Sequence, residues 1–286
     1  MRLPTRHKLA IARVLSRLAV HCLPTGADPH RVRVHRGGIE WELDLTEGID
    51  LSIYLLGSFE RATGALVHRL LGPGDVAIDV GANIGAITLP MAQAVGSEGR
   101  VIAFEPTIYG VNRLRRACEL NPWARSVVIA EQFVLGSGTT VGVTGAIPAR
   151  WPLDRAPDPS TIHGGAVESI HGALTGTLDE YMESHRIGPS RLIKIDVDGA
   201  ESNVIAGASR TIARFRPDII VEWTPSVHLR PELRHSTEHA IHVLDGLGYR
   251  AAVVGRQPAI PLPQLLKRLR MPYGASANLH LSARAQ

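Results

Sequence analysis

From residue 74 onward, short β-branched runs alternate with stretches of helical periodicity. The runs are "DVAIDV" at 75 to 80, "RVIAFEP" at 100 to 106, "SVVIAEQFVL" at 126 to 135, "RLIKIDV" at 191 to 197, "PDIIVEW" at 217 to 223 and "AAVVG" at 251 to 255. Helical patterns pass through "GAITLPMAQAV", "VNRLRRACEL", "NVIAGASRTIARF" and "STEHAIHVLDGLGY". Strand, helix, strand is the order of βαβ units, so the pattern predicts an α/β fold with a mostly parallel sheet flanked by helices.

Upstream the pattern is of another kind. "RVRVHRGGIEWELDL" alternates apolar and polar positions on both sides of Gly37 and Gly38, a hairpin signal. Before it, "RHKLAIARVLSRLAVHCL" places Ile11, Val14, Leu15 and Leu18 on one helical face. That face either packs on its own domain or a partner subunit, or rests on a membrane surface through residues 6–20. Residues 1–56 thus read as a helix and hairpin extension, and 57–286 as the main domain. Within the latter, 136–176 loses all rhythm and is rich in Gly, Pro and Thr. An irregular stretch of that length between two sheet strands points to a working loop, here a lid over a substrate.

Composition narrows the picture. An apolar content of 44% in 286 residues fills a sizeable core. Cys22 and Cys118 lack the spacing of a disulfide framework or a zinc site, which fits a reducing cytoplasm. The net charge is only +4 and the arginines are scattered, which argues against nucleic acid as a partner. No run reaches the roughly 18 apolar residues of a membrane span.

The chemistry concentrates at strand ends. "VAIDVGANIGAIT" runs an apolar strand into Asp79 and Gly81, with a helix opening near Gly85. In open α/β sheets ligands bind outside the carboxyl ends of strands, where glycines let backbone approach closely. A dinucleotide turn wants G-x-G-x-x-G, whereas this chain has Asn83 at the middle position and Ala86 at the last. That weakens a nicotinamide-dependent oxidoreductase. The spacing D-x-G-x-x-x-G resembles motif I of S-adenosylmethionine-dependent methyltransferases. Glu105 ends the next strand, where a carboxylate can accept ribose hydroxyls.

Six stretches in order carry a wider resemblance: "GSFER" at 57 to 61, "GDVAIDVGANIG" at 74 to 85, "VIAFEP" at 101 to 106, "TLDEYMESHRI" at 177 to 187, "LIKIDVDGAESNVIAGA" at 192 to 208 and "RPDIIVEW" at 216 to 223. Together they are similar to the FkbM family of methyltransferases. The resemblance implies a Rossmann-like class I methyltransferase fold of seven strands, the last antiparallel, for which "ANLHLSA" is the candidate. It implies S-adenosylmethionine as cofactor, with Glu60, Asp79, Gly81, Asn83, Gly85, Glu105 and Gln132 as binding residues. The reaction implied is methyl transfer to a hydroxyl of a small metabolite, sugar or glycan. A non-catalytic interaction protein on the same scaffold is the rival of another class.

Methyl transfer needs alignment and one proton removed. Asp196, at the end of its strand, is the first candidate for that role, with His163 and His228 as further candidate bases and His171 in the same loop region. Lys194, in a central strand, is expected to pair with a carboxylate. Asp196, Asp198 and Glu222 fall at adjacent strand ends, where oxygen ligands would suit Mg²⁺. Alternatively Asp198 and Glu201 cap the helix starting near Ser202. The family usually reads "DVEG" where this chain has Asp198 before Gly199, a carboxylate shorter by one methylene.

Overall fold

The computed structural model describes residues 5–22, 29–138, 145–156, 158, 161, 164–228, 230–256, 258–269 and 275–283. The strands are β1 (Arg31–Arg36), β2 (Ile39–Asp44), β3 (Val76–Val80), β4 (Arg100–Phe104), β5 (Val128–Glu131), β6 (Phe133–Leu135), β7 (Ala146–Arg150), β8 (Ala166–Ser169), β9 (Leu174–Gly176), β10 (Leu192–Ile195), β11 (Asp218–Trp223), β12 (Arg250–Val253), β13 (Ile260–Pro261) and β14 (Ala277–Ser282). The helices are α1 (Thr5–His21), α2 (Gly48–Leu56), α3 (Arg61–Leu70), α4 (Thr88–Val95), α5 (Ile108–Leu120), α6 (Pro122–Arg125), α7 (Leu178–Ser184), α8 (Glu201–Gly207), α9 (Ser209–Phe215), α10 (Pro225–His228), α11 (Pro231–Gly246) and α12 (Leu262–Arg268).

The principal sheet runs β13-β12-β14-β11-β10-β3-β4-β5. β5, β4, β3, β10 and β11 pair in parallel, and β14 inserts antiparallel between β11 and β12. The seven expected strands are present with "ANLHLSA" as the antiparallel one, and the two-residue β13 adds an eighth at the edge. Parallel strands covered on both faces need apolar residues at nearly every position. In β3, Ile78 and Val80 face one cluster and Ala77 the other, and Ile102, Phe104 and Val101 divide in the same way in β4.

The hairpin does not stand apart from the sheet. Ile39, Trp41 and Leu43 of β2 are buried while Glu40, Glu42 and Asp44 alternate outward. The inward residues share a cluster with Ala82, Ala103 and Leu114, so the first segment closes one face of the principal sheet.

Three local expectations are corrected. The run at 126–135 breaks at Gln132 into β5 and β6, and β6 leaves the principal sheet to pair with β9. The segment at 136–176 is not wholly irregular, because β7 and β8 form an antiparallel pair. The single helix expected through "NVIAGASRTIARF" is two. A Cβ on Gly207 would lie 1.9 Å from the Gly136 carbonyl oxygen, so α8 ends in close backbone contact. α9 then restarts under a side-chain cap, the Asp179 carboxylate accepting from the amides of Arg210 at 2.9 Å and Thr211 at 2.7 Å.

Candidate active site

The carboxyl ends of β3, β4, β10 and β11 open into a cavity of about 590 Å³. Its floor begins at the turn after β3. Gly81 has φ +81°, and a Cβ there would lie 1.8 Å from the Asp196 carbonyl oxygen. This glycine is demanded by the neighbouring strand's backbone, with or without a ligand. Gly85, at φ +90°, is similarly pressed against Leu114. Asn83, the residue that breaks the dinucleotide pattern, takes a left-handed φ of +48° and donates from Nδ2 to the Ala149 carbonyl at 2.9 Å. It ties the turn to β7.

Glu105 is buried where β4 ends. One carboxylate oxygen accepts from the Thr107 amide at 2.9 Å and from its hydroxyl, and the other accepts from the Asn83 amide at 2.8 Å. Burial pushes the Glu105 carboxyl up, against these hydrogen bonds, which favour the charged form. With about four lone-pair positions on a carboxylate, one on the Asn83 side is left for a ligand hydroxyl. Gly110 supports this arrangement, since a Cβ there would meet the Glu105 carboxyl carbon at 2.7 Å.

Across the cavity lies a charged cluster. Lys194 Nζ is 3.2 Å from Asp196 Oδ2, 3.5 Å from Asp79 Oδ1 and 3.2 Å from the Gly81 carbonyl oxygen. The expected pairing of this buried lysine with a carboxylate is present, twofold. Burial opposes its charge, but Asp196, Asp79 and Glu60 outweigh burial and raise its pKa. Glu222 hydrogen-bonds Asp196 and accepts from the Ser276 hydroxyl at 2.5 Å. Burial, reinforced by the charge on Asp196, raises its pKa strongly. The pair therefore favours retaining one proton over ionising both carboxyls.

Asp198 sits at φ +52° in the loop that follows β10, and burial with the charges of Asp196 and Glu201 pushes its carboxyl up to about 8. Glu201 lies in the first turn of α8, where an acid is favoured, and the N-cap Ala200 carries no side-chain cap. Glu201 reaches back, accepting from the amides of Val197 at 3.1 Å and Gly199 at 3.0 Å, and so straps the loop.

The structure thus brings Glu60, Gly81, Asn83, Glu105, Asp196, Asp198 and Glu222 to one cavity wall. It puts three expected cofactor residues elsewhere. Asp79 is fully buried below the turn, accepting from the Thr88 hydroxyl at 2.6 Å and facing Lys194. Gly85 packs on helix α5, and Gln132 donates to the carbonyls of Pro106 and His171. The three carboxylates expected around Mg²⁺ do gather, but among the described residues no three His, Cys, Asp or Glu side chains are arranged to hold a metal ion. The physical reason is local: the Lys194 ammonium lies against Asp196, and Glu222 turns its carboxyl toward Asp196. His228 ends α10, with its side chain outside the described atoms, His163 lies outside the described residues, and His171 is exposed.

Residues that the sequence did not single out form the roof and sides: Ile49, Phe59, Phe104, Phe133, Ile147 and Pro148. The segment at 136–176 does reach the cavity through β7 and Trp151. The Glu47 carboxylate fixes this roof, accepting from the Arg150 guanidinium and from the Trp151 amide at 3.1 Å, while the Gly48 amide donates to the Trp151 carbonyl at 3.0 Å. Only the pairing of β7 with a loop 100 residues earlier in the chain reveals this anchor, and no local pattern signals it.

Five parallel strands, an antiparallel strand inserted beside them and a cavity above an acidic β4 end define the class I methyltransferase fold. The chain belongs to the FkbM methyltransferase family, the methyltransferase FkbM domain matching residues 79–251. No curated protein matches the chain. Among solved structures it is similar to methyltransferase FkbM from Methylobacillus flagellatus KT, at 15% identity and a TM-score of 0.43, over 76% of this chain and 50% of that one. A SAM-dependent O-methyltransferase from Thermotoga maritima is similar at 14% identity and 0.45, over 89% and 78%. A putative rRNA-methylase from Clostridium thermocellum is similar at 11% identity and 0.45, over 77% and 92%. The chain therefore spans only half the length of the first of these.

Proposed function

We propose that this protein is an O-methyltransferase that moves a methyl group from S-adenosylmethionine to a hydroxyl of a small metabolite, sugar or glycan, with 57–286 as the catalytic unit and 1–56 as its extension. The observation that carries the reading is one cavity with a hydroxyl-accepting carboxylate, Glu105, at one end and the Asp196–Glu222 pair at the other.

The cofactor fits the residues present. Asn83 Oδ1 and Glu60 Oε2 are buried without a hydrogen-bond partner, which costs stability unless a ligand donates to them. Glu105, Asn83 and Glu60 would hold the cofactor. When bound, it supplies a methyl group already activated by its sulfonium.

Asp196 then takes the proton of the acceptor hydroxyl as the oxygen becomes a nucleophile. The Lys194 ammonium lies 3.2 Å from Asp196 Oδ2, and the hydrogen bond with Glu222 fixes the orientation of the Asp196 carboxyl. A positioned base contributes roughly 10² to 10⁴ in rate, and alignment by the roof adds an effective-molarity term. Glu60, Glu105, Asp196, Asp198 and Glu222 face the cavity against the single ammonium of Lys194. With Asp198 and Glu222 raised to about 8 and about 9, the lining is rich in carboxyl hydrogen-bonding groups and not strongly anionic, which supports an acceptor bearing hydroxyls.

A labelled-methyl screen of hydroxylated metabolites and sugars, run with Mg²⁺ and with a chelator, tests the proposal. Transfer to a hydroxyl is expected under both conditions, and transfer confined to nitrogen, carbon or RNA acceptors refutes it. S-adenosylhomocysteine is expected to raise the melting temperature and NAD to leave it unchanged.

A further inference from the structure

Helix α1 turns its apolar stripe away from the protein. Ile11, Val14, Leu15 and Leu18 are 48%, 55%, 39% and 57% exposed. What binds the helix to the domain is its other side: Ser16 donates to the Leu45 carbonyl at 2.7 Å, and Ala19 and Val20 join the hairpin cluster. The expectation that the stripe packs on the chain's own domain is therefore wrong. α2, which touches α1, ends in Leu55 and Leu56, 43% and 59% exposed. Exposed apolar side chains at helical spacing cost solubility unless something covers them.

Charge indicates what does. Residues 5–21 include Arg6, Lys8, Arg13 and Arg17 and no acid. The first 36 residues carry eight Lys and Arg against one acid, Asp28, while the rest carry 23 against 26. The positive charge of the whole chain thus comes from the segment that bears the stripe. A stripe on a second copy would face another basic helix, which is repulsive. An anionic lipid surface satisfies both features, burying the leucines at the headgroup boundary and attracting the basic side chains, apart from Arg13, which donates to the Arg155 carbonyl at 2.8 Å.

We propose that α1 docks the protein on anionic membrane surfaces, lying in the interface without crossing it. Among the described residues no helix is long and apolar enough to span a bilayer. Docking is independent of the catalytic reading, since α1 contributes nothing to the cavity wall.

Vesicle flotation of the full chain tests this, with phosphatidylglycerol-rich and pure phosphatidylcholine vesicles. Binding is expected to the anionic vesicles, at least tenfold weaker to the neutral ones, and reduced at 0.5 M salt. The doubly substituted Leu15→Asp, Leu18→Asp protein should lose binding at least tenfold while keeping the wild-type melting temperature. Arg17→Glu, a milder change, should weaken binding without abolishing it. Absence of binding to anionic vesicles overturns the proposal, as does binding that both variants retain. A dimer in sedimentation that the double variant abolishes, without vesicle binding, assigns the stripe to a second copy and also overturns it.

Discussion

The two ends of the cavity are built by different means. At the Glu105 end the contacts are backbone amides and glycines: Gly81 and Gly110 leave room for specific atoms, and Asn83 and Thr107 amides aim at one carboxylate. At the Asp196 end the contacts are side chains of mixed charge, Lys194 with Asp79, Asp196 and Glu222. A backbone-built site is stiff and largely set by the fold. A side-chain cluster is adjustable, and its protonation depends on every member. On the proposed function, the first suits the cofactor and the second the acceptor.

Substitutions separate the two ends. The largest effect is expected from Asp196→Asn: turnover in the labelled-methyl assay falls roughly 10² to 10⁴-fold, while the thermal shift with S-adenosylhomocysteine persists. Full activity in that variant would remove Asp196 as the base. Glu105→Gln should act in the opposite sense, weakening S-adenosylhomocysteine about 10- to 100-fold, the range of a hydrogen bond to a charged group, as read by calorimetric titration. If both variants lost cofactor affinity equally, the division into two ends would fail.

A structural test sharpens the contrast. Gly81→Ala puts a methyl group 1.8 Å from the Asp196 carbonyl and a non-glycine residue at φ +81°, so a loss of about 1–3 kcal/mol or more is expected in denaturant unfolding. The smallest effect is electrostatic. The Asp198 carboxyl is raised to about 8, so the folded state holds a proton that the unfolded chain releases near pH 4. Stability from this group is present below pH 4 and declines as pH rises toward 8. Asp198→Asn should therefore raise the melting temperature by a few degrees at pH 9 and by less at pH 5. Asn also tolerates the left-handed conformation.

Much of the stiff end was legible in the chain. β3 and β4 announce themselves as β-branched runs, and Gly81, Asn83 and Glu105 fall at offsets that strand-end chemistry dictates. The spacing gave no sign that Asp79 faces Lys194 or that Gly85 packs against Leu114. At the adjustable end, Asp196 and Glu222 were visible as strand termini, but the proton they share is not, because it arises from burial and mutual charge. The roof was the least legible. β7 follows a Gly- and Thr-rich stretch, and its anchor Glu47 is 103 residues from Arg150, a contact that no local period encodes. The stripe on α1 was read correctly as a pattern, and its direction was not, since periodicity defines a face without saying which way it looks.

The placement of β14 bears on how the chain is made. Its two neighbours, β11 and β12, lie about 30 residues apart in sequence and pair with it on opposite sides. During synthesis the parallel strands can assemble as they emerge, but β12 has no place beside them until 277–282 have left the ribosome. Until then β11 presents an open edge, the kind of surface on which nascent chains associate wrongly. β14 is thus the wedge that joins β12 to the parallel strands, and translation that stalls before it leaves the sheet in two pieces.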